Sequence, residues 1–183
     1  MNLDWLWWTS TIVGVISYGV GFWGNWQTSE RGTLHGSWIT NALTAMSSAT
    51  LGLWGVAASC AVQVVRVFFY MGTKHRWTVN PATVGFIFGA LSLGVYFLVE
   101  GVPTDVPGWL PPAATVINAT LQAFRSAFIV KLAGVLSGFL WIFIWAFAGS
   151  PLAFLAVGTF TVACIALVRI WKKNRASLEP AAA

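Results

Sequence analysis

Long apolar runs, separated by short polar or proline-containing stretches, recur along almost the whole chain. Their length matters more than any period within them, because a membrane-crossing helix needs about 20 mostly apolar residues, with a usual range of about 17–25. The first run covers Asp4–Trp23. Trp5, Trp7 and Trp8 stand at one end and Trp23 and Trp26 at the other, where indole rings suit the two membrane interfaces. A polar loop over Gly24–Ser37 then carries Glu30, Arg31 and His35. Read as one helix, Trp38–Tyr70 would be about 50 Å long, well beyond a hydrocarbon core of about 30 Å. It would also place Arg125, Lys131 and the C-terminal basic cluster outside the cell. The stretch therefore predicts two short spans that turn near Leu53-Trp54-Gly55. A fourth span follows Pro81 over Ala82–Val99, and Pro103, Pro107, Pro111 and Pro112 predict a loop after it. A short and unusually polar fifth span is expected at Ala113–Phe124. The sixth covers Leu132–Ala148, and the seventh runs from Pro151 to Trp171, with Lys172–Arg175 as its cytoplasmic stop.

Charge then sets an orientation. With seven crossings, Arg31, Arg66, Lys74, Arg76, Arg125, Lys131, Arg169, Lys172, Lys173 and Arg175 all follow odd-numbered spans, and the opposite side holds only Asp4, Glu100 and Asp105. Basic residues near span ends stay cytoplasmic, so the pattern predicts an N-terminus outside and a C-terminus inside. A chain that is 57% hydrophobic and 8% charged is not an ordinary soluble domain. Its net charge of +5 sits at span ends rather than on one continuous face, so nucleic acid is not an expected partner. The lipid bilayer is. No basic region precedes the first run, which predicts a retained span rather than a cleaved signal peptide. Cys60 and Cys164 fall within predicted helices and read as small apolar residues. Residues 176–183 are set apart as a tail that an expression vector could have contributed.

An internal repeat is also visible. Trp5-Leu6 and Trp109-Leu110 match at an offset of 104, as do Thr11-Ile12-Val13 with Thr115-Val116-Ile117 and Cys60 with Cys164. The expected fold is an all-α membrane protein of seven transmembrane helices. Two parallel three-helix bundles, residues 1–76 and 102–175, would be joined by a linker helix within 77–101. Parallel repeats about an axis along the membrane normal place a binding site between the halves.

This three-plus-one-plus-three pattern resembles the architecture of the SWEET sugar transporters and of the vitamin-importing PnuC family. At the level of residues the chain is similar, over about Trp5–Arg175, to the YgjV-type family of bacterial inner-membrane proteins. The Trp-Leu start of the first span, Ser29-Glu30-Arg31, Gln63-Val64-Val65-Arg66 and Ala166-Leu167-Val168-Arg169-Ile170-Trp171 carry that resemblance. Members tend to have Asn three residues before each of these arginines, whereas this chain has Gln63 and Ala166. The resemblance implies a multi-pass protein of the bacterial inner membrane that handles a small solute.

Candidate chemistry is sparse. No Asp or Glu sits near the middle of any predicted span, which argues against coupling to a proton or sodium gradient and favours passive movement of a neutral or weakly charged solute. His35 and His75 are expected in separate loops without partner ligands, so no metal, cofactor or catalytic role is predicted and the chain does not read as an enzyme. The remaining candidates are polar groups within spans. Asn41, Thr44 and Ser48 share one helix face, as do Asn118 and Gln122, and Gln63 lies on the third span. In lipid such groups either hold helices together or line a wet cavity. Trp141 and Trp145, also four apart, are too deep to be interface anchors and could form a flat wall. Gly134 and Gly138 read as a packing pair, and Arg125 and Lys131 as topology anchors in a short loop.

The expectation is a facilitator of a small polar metabolite, such as a sugar or a vitamin-like or nucleoside-like solute, that works by alternating access. Asn41, Gln63, Asn118, Gln122, Trp141 and Trp145 would bind the solute. A receptor or assembly factor without transport, or a small-solute or ion channel, is the alternative, and either a monomer or a homo-oligomer fits.

Overall fold

In the computed structural model, which describes residues 3–72, 80–124 and 126–176, the chain forms seven α-helices. They are α1 (Leu3–Trp26), α2 (Glu30–Thr50), α3 (Trp54–Gly72), α4 (Pro81–Glu100), α5 (Val106–Gln122), α6 (Ala127–Phe147) and α7 (Leu152–Ala176). Each packs on its neighbours in sequence, α1 closes the ring against α7, and α3 meets α5 and α2 meets α6 across the interior. Helices α3, α4, α6 and α7 are long and apolar enough to cross a membrane. Their outward faces carry exposed Phe86, Leu98, Phe139 and Phe154, as a lipid-facing surface requires.

Local chemistry explains where the helices start, and it corrects several expectations. The polar stretch expected as a loop to Ser37 is already helical from Glu30. The Ser29 hydroxyl caps α2 by accepting from the Gly32 N–H at 3.2 Å, and Glu30 complements the positive end of the helix. His35 is thus a half-buried residue of α2, not a loop residue; Lys74, His75, Arg76 and Arg125 lie outside the described residues. The turn between the second and third helices falls at Leu51–Leu53, slightly earlier than expected, with Gly52 at φ +77°. Only a residue without Cβ adopts that conformation at little cost. Helix α6 starts at Ala127 rather than Leu132, which draws Lys131 into the helix, and α7 continues through Lys172–Arg175.

The proline-rich stretch is the largest correction. Prolines usually end helices, yet α5 begins at Val106 and contains Pro107, Pro111 and Pro112. Asp105 caps it, its carboxylate accepting from the Gly108 N–H at 2.9 Å, and Pro107 occupies the first turn, where an N–H has no intrahelical partner. Pro112 cannot donate to the Gly108 carbonyl four residues back. The Tyr96 hydroxyl, arriving from α4, donates to that carbonyl at 3.3 Å instead. Tertiary packing supplies the bond that the sequence removes.

Hydroxyl pairs join the polar helices. Ser10 and Ser47 exchange bonds reciprocally between α1 and α2, each hydroxyl donating to the other residue's carbonyl at 3.0 Å. Farther along the seam, Ser17 donates to the Thr40 carbonyl at 3.1 Å. At Gly24 and Gly36 the two backbones nearly touch, since a Cβ on Gly24 would stand 2.8 Å from the Gly36 Cα. Across the molecule, the Glu100 carboxylate accepts from the Gly55 N–H at 2.8 Å. That ties the end of α4 to the start of α3 and gives the carboxylate a structural partner.

Candidate functional site

Where α1, α2, α5 and α6 face one another, they leave a cavity of about 130 Å³. It lies in the half of the bundle nearest the C-termini of α1 and α5, and Thr159 of α7 completes its wall. Helix α2 contributes Thr33, Ser37, Thr40, Asn41 and Thr44, residues three and four apart that fall on one face. Helix α1 presents Ser17, Gly21 and Gly24 at a similar spacing, and its glycines leave room that larger side chains would occupy.

Five of the six residues expected to bind solute meet at this cavity: Asn41, Asn118, Gln122, Trp141 and Trp145. Asn41 donates from its amide to the Ser37 hydroxyl at 3.3 Å. Trp141 and Trp145 stack with centroids 5.8 Å apart and planes 30° from parallel, forming an aromatic wall opposite the polar face of α2. The indole of Trp145 is 2% exposed, and its N–H, directed toward the Tyr18 hydroxyl, closes no hydrogen bond of ordinary geometry.

Gln63 is not part of the lining. Its amide donates to the Ser92 hydroxyl at 2.7 Å while the Ser59 hydroxyl donates to the Ser92 carbonyl, so here the amide joins α3 to α4. The polar positions of α2 divide the same way. Thr44 lines the cavity, whereas Ser47 and Ser48 are buried in helix packing away from it. Gly134 and Gly138, expected to serve packing, also line the cavity, and Gly138 lies against the Phe160 backbone of α7.

Two charges expected at span ends are fully buried. Lys131 is 1% exposed, and its ammonium donates to the Gly24 and Asn25 carbonyls at 2.8 and 2.9 Å. These are C-terminal carbonyls of α1 with no intrahelical partner, and a cation is well placed against the negative end of the helix. Arg66 is 0% exposed and donates through Nη2 to the Gln122 Oε1 at 2.7 Å. Its guanidinium lies 5.5 Å from the centre of the Tyr70 ring, and its Nε and Nη1 have no hydrogen-bond partner. Gln122 in turn donates from Nε2 to the Asn118 Oδ1 at 3.2 Å.

Sequence reasoning missed Ser17, Tyr18 and Asn25 in the lining. The available signal was the spacing of Ser10, Ser17, Gly21 and Gly24, which places small residues along one face of an otherwise aromatic helix.

Compared with known proteins, residues 8–174 match the sequence model of a family described as bacterial inner membrane protein. No curated protein and no solved structure matches the chain. The family match and the four apolar helices together establish a multi-pass protein of the bacterial inner membrane.

Proposed function

The chain belongs to the Imp-YgjV family of bacterial inner membrane proteins, and we propose that it is a carrier, not an enzyme, for a small polar metabolite. In this reading all seven helices cross the membrane, with the N-terminus outside. Residues 1–76 and 102–175 form two parallel three-helix units, α4 links them, and solute moves by rocking of one unit against the other without ion coupling. The observation that carries the proposal is a correspondence around the cavity. At the repeat offset of 104, Thr33 corresponds to Ser137, Ser37 to Trp141, Asn41 to Trp145 and Tyr18 to Gln122, and all eight residues line the one cavity. The helix contacts follow the same exchange: α1 packs on α7 as α5 packs on α3, and α2 meets its counterpart α6. A site on the axis between repeats is reached from either side when the halves rock. The Lys131 tie to α1 would have to break for α6 to part from α1 on the cytoplasmic side.

Among the described residues no acidic side chain lines the cavity, and Glu100 is held at the start of α3, which supports uncoupled movement. The test is exchange of labelled sugars, nucleosides, vitamins and organic acids across proteoliposomes. Saturable exchange of one chemical class is expected. The Asn118→Ala, Gln122→Ala double variant should fold and lose it. Normal exchange by that variant removes these residues from the site, and conductance without saturation identifies a channel.

A further inference from the structure

The hydrogen-bond chain behind the α5 wall bears on the charge of the solute. Arginine has five N–H donors and no acceptor, so the Arg66 bond to Gln122 fixes which end of the glutamine amide faces it. Gln122 must present its oxygen to Arg66, which turns its NH2 group to Asn118, whose oxygen accepts. The free end of Asn118 is then also an NH2 group. Each amide passes the same polarity on, and the part of the wall that α5 contributes presents donors to a solute. On the facing side, the Trp145 indole N–H is a further donor, directed toward the Tyr18 hydroxyl without a hydrogen bond of ordinary geometry.

Electrostatics has the same sign. Arg66 is bonded to the lining residue Gln122 and Lys131 to the carbonyls of the lining residues Gly24 and Asn25, and among the described residues no carboxylate lines the cavity. The described acidic side chains belong to helix ends: Glu30 in the first turn of α2, Glu100 at the end of α4 and Asp105 at the cap of α5. Helix dipoles do not reverse this. The negative C-termini of α1 and α5 adjoin the positive N-termini of α2 and α6, so each antiparallel pair largely cancels. Lys131 is satisfied by two carbonyls, whereas Arg66 keeps two nitrogens unpartnered, and a buried cation in a membrane protein ordinarily finds a counter-charge.

We infer that the solute is a small organic carboxylate, a monoanion that accepts from the Asn118 and Gln122 amides and the Trp145 N–H while its apolar part rests on Trp141. Arg66 acts through Gln122 as a positioning residue. The proposal rests on the carrier reading and names the substrate class of that same cavity.

The test uses the full-length protein in detergent micelles with matched acid and amide pairs: acetate and acetamide, lactate and lactamide, benzoate and benzamide. Equilibrium binding of the labelled compounds should show at least one acid bound tenfold or more tightly than its amide. Arg66→Lys should keep that preference, and Arg66→Gln should bring the ratio close to one. Should Arg66→Gln fail to fold, Asn118→Leu breaks the chain at its free end with the arginine bond intact, and should also lose the preference. Amides binding as well as acids throughout, no acid binding, or a preference unchanged in the folded variants overturns the inference. Acid binding without exchange across proteoliposomes keeps the anion site and overturns the carrier. Exchange of neutral sugars without acid binding does the reverse.

Discussion

The crossing of α1 and α2 at Gly24 and Gly36 gives a prediction that geometry alone can size. A methyl group on Gly24 would stand 2.8 Å from the Gly36 Cα, which is backbone and has no rotamer to yield. Carbon atoms rest at about 3.5–4.0 Å, so the helices must part locally by roughly 0.7–1.2 Å. Overpacking of this kind costs about 1–3 kcal/mol. Alanine also favours a helix by up to about 1 kcal/mol over glycine, and that gain must be removed before the steric cost can be read. Gly19, one and a half turns earlier on α1, provides the control, because a Cβ there meets nothing within 4 Å. Both substitutions share the propensity gain and only one has the clash. Unfolding in mixed micelles with increasing SDS, followed by circular dichroism, should therefore place Gly24→Ala about 1–3 kcal/mol below Gly19→Ala. At roughly 2–4 °C per kcal/mol for a chain of this size, thermal midpoints should differ by several degrees. Gly36→Ala points into the same gap, so the double variant should cost less than the sum of the two single ones. Equal stability of Gly24→Ala and Gly19→Ala would refute the backbone contact and, with it, the narrow α1–α2 wall of the cavity.

Other predictions follow from single bonds. Tyr96→Phe removes the donor to the half-buried Gly108 carbonyl and should cost about 0.5–1.5 kcal/mol, the net worth of one hydrogen bond. Pro112→Ala restores an intrahelical N–H to that carbonyl, so Tyr96→Phe should cost less in the Pro112→Ala background, measured by the same unfolding assay. Lys131→Met frees two carbonyls of α1 and should destabilise by roughly 1–3 kcal/mol, with Lys131→Arg closer to the native protein; a fully stable Lys131→Met protein would show that the ammonium does not hold α1 to α6. For the orientation, a fluorescent protein fused after Ala176 should fold and fluoresce in the cytoplasm, and a periplasmic reporter at the same site should be inactive; the opposite pair of results reverses the topology.

The apolar runs were legible because membrane solvation is a local property: a helix faces lipid along its own length, so its hydropathy is written in consecutive residues. Helices α4, α6 and α7 follow from that alone, α3 needed the length limit and the charge pattern as well, and the family resemblance over Trp5–Arg175 is matched by the family model over residues 8–174. The spacing of Asn118 with Gln122 and of Trp141 with Trp145 was readable too, because i, i+4 neighbours share a face whatever surrounds them. The destination of a polar group was not readable, because its partner lies far away in sequence. Lys131 near the end of an apolar run looks like an anchor facing water, and it is the α1 carbonyls 106 and 107 residues away that bury it. Gln63 has the same chemistry as Gln122, yet Ser92 binds one into the α3–α4 packing while Arg66 turns the other toward the cavity. The prolines of α5 predicted a break because a missing N–H is a local defect, and the Tyr96 hydroxyl from the preceding helix mends it. Hydropathy decided which segments of this chain suit a membrane; the pairing of donors with acceptors across helices decided where its buried charges and its cavity lie.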